Sequence, residues 1–181
     1  MTFVFLTLYL FSVFAAFGAA TYAAWSDFKG LRIPNSVPLI ALISFAIAYL
    51  SAWAAGATEL VFGPLGSHLG AALILFLMTF LLFVFKAFGA GDAKMASAYG
   101  LWCTWALFPG FLMVMTLSGA ILALFALVLR KVPLSEKWQI YWLAHIKAGK
   151  NAVPYGIAIW IAVIYVILAG NYLAMDTLRA F

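Results

Sequence analysis

Five of the chain's 181 residues are acidic, and two of the five border long apolar runs. Asp27 closes one run in AAWSDFKGLRIPN, and Asp92 opens another in AFGAGDAKMASAYG. Glu59, Glu136 and Asp176 fall in connecting segments, where water solvates a carboxylate at little cost. An ionisable group within or beside a membrane span is costly to keep and is a functional candidate by default. Two neighbouring carboxylates cannot both ionise cheaply, so one keeps a proton while the other stays charged over a window of pH. The charged one takes a proton from water as that water attacks an amide carbonyl. The protonated one hydrogen-bonds the developing oxyanion and then helps to protonate the leaving amine. This is peptide hydrolysis without a Ser or Cys nucleophile and without a metal.

Each acid also has a purely structural reading. Asp92 suits the N-cap of a helix, where the dipole favours an anion. Asp27 suits an interfacial helix end paired with Lys29 or Arg32. Gly89 and Gly91 flank Ala90 just before Asp92. Glycine allows positive φ and close backbone approach, so a Gly-x-Gly turn admits an extended peptide beside the carboxylate. The alternative is a plain interhelical turn with Gly89 as a C-terminal cap. Other catalytic kits are poorly supplied. His68 and His145 are expected at opposite membrane faces as interfacial residues, and neither a His-x-x-Glu-His cluster nor a Gly-x-Ser-x-Gly elbow occurs. The single cysteine, Cys103, is expected to be a buried packing residue, and no CxxC zinc site exists. No metal and no cofactor are expected.

The composition dictates what positions the acids. The chain is 68% hydrophobic and 8% charged, with mean hydropathy +1.14, against about half apolar and a quarter charged in soluble domains. Six continuous apolar runs read as membrane helices: Phe3–Trp25, Val37–Ala55, Leu65–Phe88, Ala93–Phe108, Phe111–Leu129 and Val153–Leu173. The absence of alternation argues against β-barrel strands. The first run is long and lacks a positive n-region, so it is expected to be a retained helix and not a signal peptide. The expectation is an all-α polytopic membrane protein, a single domain over residues 1–181, with the fourth span the shortest.

Basic residues set the sidedness. Loop 26–36 carries two, the 86–94 turn two and loop 130–152 five, nine in all, whereas the alternate segments carry Arg179 alone. The model is six helices with both termini outside and three basic loops in the cytoplasm. The net charge of +5 is then a topology signal and not a sign of nucleic-acid binding. The segment 135–147 is expected to be an amphipathic connector on the headgroups, with Trp138, Tyr141, Trp142 and His145 sharing a face. Gly66/Gly70 and Ala15/Ala19 have the small-residue spacing of close helix pairs.

Three stretches together resemble the aspartyl prepilin peptidases, members of the GxGD membrane proteases. They are Asp27 followed by Lys29, Arg32 and Ile33-Pro34-Asn35; Gly89-Ala90-Gly91-Asp92 with Lys94; and Val153 followed by Pro154-Tyr155-Gly156. The resemblance implies a GxGD aspartyl protease architecture with Asp27 and Asp92 as the catalytic pair. Ile33, Pro34, Asn35, Gly89, Gly91, Lys94, Pro154, Tyr155 and Gly156 would be supporting or substrate-proximal. It implies an inner-membrane enzyme that removes the basic leader of prepilins, its membrane-anchored substrates, at the cytoplasmic face. The chain lacks the length and the paired CxxC motifs of members that also methylate the new N-terminus. It is similar to the short, peptidase-only type of tight-adherence (Flp) pilus systems, and archaeal preflagellin peptidases share the plan. The competing class is a small proton- or cation-coupled transporter, in which the two acids would be ion sites nearer the midplane. A structural subunit of a secretion machine is the third reading.

Overall fold

Lipid offers the backbone no hydrogen-bond partner, so continuous apolar runs must close their bonds internally as helices. The computed structural model describes residues 2–131, 141–147 and 153–181, and every regular element among them is helical. In chain order they are α1 (Thr2–Gly30), α2 (Ser36–Ala54), α3 (Thr58–Val61), α4 (Leu65–Val84), α5 (Ala90–Gly100), α6 (Phe108–Lys131), α7 (Tyr141–Lys147), α8 (Tyr155–Ala169) and α9 (Met175–Arg179).

Four stretches are long and apolar enough to cross a bilayer: Phe3–Gly30, Ser36–Ala54, Thr58–Val84 and Phe108–Lys131. The 11 residues of α5 and 15 of α8 rise about 17 and 22 Å, short of a hydrocarbon core of roughly 30 Å. The run expected over Ala93–Phe108 is therefore not one helix. It starts at Ala90 and gives way after Gly100 to backbone turns bonded three residues apart, which side chains of α4 tie down. His68 Nδ1 lies 2.7 Å from the Leu101 carbonyl, and the Trp105 N–H donates to Ser67 Oγ at 2.8 Å. Pro109 and Gly110, which separate the fourth and fifth expected runs, fall inside the first turn of α6, where a missing N–H costs nothing.

Asp27 faces inward because of a helical stripe. Tyr9, Val13, Ala16, Ala20, Ala23 and Asp27 recur at three- and four-residue steps along α1, and all are buried. The small members let α2 approach through Ala41, Ala48 and Ala52, and α8 through Ile159, Ala162 and Val166. In the GxxxG pair, Gly70 lies against the Trp105 ring, whereas Gly66 has open space beside it.

Residues 90–105 run antiparallel to α4 along its length. The steps are Ser97 against Thr79, Gly100 against Ala72, Leu101 against His68 and Trp105 against Ser67. Phenol and indole donors pin this segment to its other neighbours: Tyr99 OH donates to the Ala16 carbonyl at 2.7 Å, and Trp102 Nε1 to Ala41 at 3.2 Å. His68 is not interfacial as expected. It is fully buried, with Nε2 2.8 Å from the Phe62 carbonyl and the Phe45 ring 5.2 Å away. Two carbonyls lie where α3 and α5 end, and a neutral imidazole donates its one N–H to one of them.

One end of the bundle holds the C-termini of α1, α4 and α6 and the N-termini of α2, α5 and α8. It also holds Lys29, Arg32, Lys86, Lys94, Arg130, Lys131 and Lys147, while Arg179 is at the other end with Tyr9, Tyr172 and Phe181. Helix α7 closes over the basic end. Trp142, expected on the headgroup face, is instead buried with Leu143 and Ile146 against Ala126 and Phe28. The apolar ends of α1 and α6 offer an indole more contact than the surface does. Residues 135–140 of that connector, Glu136 and Trp138 among them, lie outside the described residues.

Candidate active site

The N-terminus of α8 is capped from another helix. Pro154 occupies the N-cap and provides no side-chain cap, so the first N–H groups need an acceptor. Asp27, in the last turn of α1, supplies it: Gly156 N–H donates to Asp27 Oδ2 at 2.7 Å. The helix dipole favours a carboxylate there. A Cβ on Gly156 would stand 2.9 Å from Asp27 Cβ and 3.0 Å from Oδ2, so only glycine lets the two elements meet. Neither Lys29 nor Arg32 pairs with Asp27; among the described residues the one salt bridge is Asp176–Arg179.

Asp92 stands at the third residue of α5, with Gly89 as the N-cap. It is therefore not itself the cap. Nor does Gly89 end α4; that helix closes on Lys86, which takes φ 59° while Lys86 and Ala87 N–H return to Phe83 and Leu82 carbonyls. The two motif glycines are not there for left-handed geometry, since Gly89 has φ −73° and Gly91 is helical. They give room. A Cβ on Gly89 would be 2.5 Å from Asp92 Oδ2, and one on Gly91 would be 3.2 Å from Ile33 Cβ. Asp92 Oδ1 is buried with no hydrogen-bond partner. Burial, and secondly the charge of Asp27, push the Asp92 carboxyl up to about 7, while the Gly89 N–H works in the opposite direction.

Asp27 and Asp92 line one cleft of about 530 Å³, within the range of ligand sites. Tyr155 and Gly89 line it too, with the Tyr155 ring edge-on to Phe88 at 5.2 Å. The other motif residues sit one contact away. Ser26 Oγ donates to the Arg32 carbonyl at 2.7 Å, tying the 31–35 loop to α1. Ile33 of that loop rests on Gly91, and Lys94 Nζ donates to Asn35 Oδ1 at 3.1 Å. The Pro34 carbonyl accepts Val37 N–H as α2 begins. Pro34 and Pro154 thus shape the chain without lining the cleft. The Ile-Pro-Asn loop is a strap between the helix carrying Asp27 and the helix carrying Asp92.

Four cleft residues were not singled out from sequence: Leu31, Lys86, Ala87 and Phe88. Each is within a few residues of a motif member, and that adjacency was the available signal. Leu31, like Lys86, has a left-handed backbone, φ 51°, which costs a branched residue about 1–2 kcal/mol. Among the described residues no three His, Cys, Asp or Glu side chains cluster as metal ligands.

No curated protein and no solved structure matches the chain. The model of the type IV leader peptidase family matches residues 13–124, well over half of the chain, so the protein belongs to that family, whose members are peptidases.

Proposed function

We propose that the chain is an aspartic endopeptidase of the inner membrane that removes the basic leader of prepilins at the cytoplasmic face. One observation carries the reading: Asp27 and Asp92, far apart in sequence, line a single cleft at the basic end of the bundle. A water between two carboxylates that share one proton is activated by the ionised partner, and the carbonyl oxygen is polarised by the protonated one. No cofactor enters this scheme.

The positive-inside rule puts the cleft in the cytoplasm. The return of residues 90–105 along α4 supports a short fourth crossing, and α8, antiparallel to α1, supports a sixth. Both termini are then outside, in one domain with the GxGD plan. A prepilin joins a basic leader to an apolar helix, so its scissile bond lies at the membrane surface, level with the cleft. Within the family, the proposed type is the peptidase-only one, as in Flp pilus systems.

The test is purified protein in liposomes with a prepilin, read by mass spectrometry. Release of the intact leader, unaffected by a metal chelator, supports the proposal. No cleavage together with ion flux that depends on Asp27 or Asp92 replaces it with the transporter reading.

A further inference from the structure

Two carboxylates in one cleft share a proton, and the chemistry differs according to which one holds it. The two acids are held unequally. Asp27 Oδ2 takes the Gly156 N–H at 2.7 Å, at the positive end of α8, a site that gains most from a full negative charge. Asp92 has one oxygen facing Gly89, and its other, Oδ1, is buried without any donor. A charged oxygen in that position would forfeit the solvation of an anion and receive nothing in return. A neutral carboxyl group there loses far less. Asp27 has no oxygen so enclosed.

We propose that Asp92 carries the shared proton and that Asp27 is the ionised general base. This rests on the peptidase reading above and assigns its roles. Water gives a proton to the Asp27 carboxylate as its oxygen bonds to the scissile carbonyl carbon. The Asp92 proton moves to the carbonyl oxygen, leaving a neutral gem-diol. The proton now on Asp27 passes to the amide nitrogen as the C–N bond breaks, and a gem-diol hydroxyl returns its proton to Asp92. One water is consumed, one acid and one amine are formed, and both aspartates end as they began. Lys86 and Tyr155 are the other titratable residues lining the cleft, and neither is required to exchange a proton in this cycle.

Infrared difference spectra of the protein in liposomes test the assignment directly, through the carbonyl stretch of a protonated carboxyl group. The spectra are taken at the highest pH at which the wild type still shows the band. There the band is expected in Asp27→Asn, and is expected to be lost in Asp92→Asn. Loss in Asp27→Asn with retention in Asp92→Asn reverses the roles and overturns the proposal. Loss in both, retention in both, or no band in the wild type also overturns it. Should a variant fail to insert, carboxyl-¹³C aspartate NMR of the wild type decides. The chain has three aspartates, Asp27, Asp92 and the exposed Asp176, and one protonated carboxyl is expected. Three ionised ones refute the assignment. These readouts do not depend on cleavage. A protein with the expected spectra and no action on a prepilin refutes the peptidase reading alone.

Discussion

Gly156→Ala is the sharpest perturbation available, because it adds one methyl group where α8 meets Asp27. The new Cβ would lie 2.9 Å from Asp27 Cβ, 3.0 Å from Oδ2 and 3.2 Å from Cγ. Carbon atoms in contact sit about 3.5–4.0 Å apart, so the overlap is roughly 0.6 Å or more. The nearest obstacle is the root of the Asp27 side chain and not a flexible tip, so the helix end or the carboxylate must move. The 2.7 Å bond from Gly156 then lengthens toward the limit of a useful hydrogen bond. A hydrogen bond to a charged group contributes about 1.5–3 kcal/mol, and misplacing a catalytic group by about 1 Å costs roughly 100-fold. The expectation is a fall of about 10- to 100-fold in kcat/KM for prepilin cleavage, with the protein still inserted. The assay is initial cleavage rate in liposomes, with thermal unfolding in detergent measured beside it. Gly66→Ala is the control, since no atom lies within 4 Å of its added methyl. Wild-type kcat/KM in Gly156→Ala, or an equal loss in Gly66→Ala, would refute the reasoning.

Gly89→Ala places a methyl 2.5 Å from Asp92 Oδ2, and cleavage should fall by at least as much, without loss of Asp27's bond to Gly156; rates near wild type would contradict the close-approach role. Lys94→Met and Asn35→Ala each break an exposed 3.1 Å tie, so unfolding should shift by less than about 1 kcal/mol while kcat drops several-fold, and the double variant should be no worse than either single one. His68→Leu removes the one N–H that a neutral imidazole donates to the Leu101 or Phe62 carbonyl in a buried site, at about 1–3 kcal/mol, and a melting temperature equal to wild type would remove His68 as the pin of that end. The Asp92 carboxyl lies at about 7, above the 3.8 of an unperturbed aspartate, so the fold binds its proton more tightly than the unfolded chain does. Its contribution to stability is complete below the unfolded value and is lost as pH rises through about 7. The melting temperature of the wild type should therefore fall as pH rises toward about 7, and Asp92→Asn should reduce that slope; a variant with the same slope would place its origin elsewhere.

Much of the site was legible because its chemistry is scarce. Two acids beside apolar runs in so greasy a chain stand out on cost alone, and the three- and four-residue steps from Tyr9 to Asp27 already aim Asp27 inward. The motif glycines were legible as residues and not as reasons. Their freedom of φ is unused, and what matters is the distance to Asp92, Ile33 and Asp27, which only the assembled bundle sets. Hydropathy could not place the break at Gly100, because residues 101–105 are held by His68 and Ser67 of another helix. The burial of His68 was hidden for the same cause: its partners are main-chain carbonyls, which carry no sequence signal. Trp142 read as interfacial from its own segment, and it is buried because α1 and α6 end beneath it.

The central claim is that Asp27 and Asp92 work as one unit on one peptide bond. Cleavage rates of Asp27→Asn, Asp92→Asn and the double variant, in the same liposomes with the same prepilin, test it most directly. Residues that act together lose their effect together, so each single variant and the double one should show the same near-complete loss. A single variant that still processes the prepilin at the wild-type rate, or a double variant whose loss is the product of two partial ones, would show that the two acids do not form a catalytic pair.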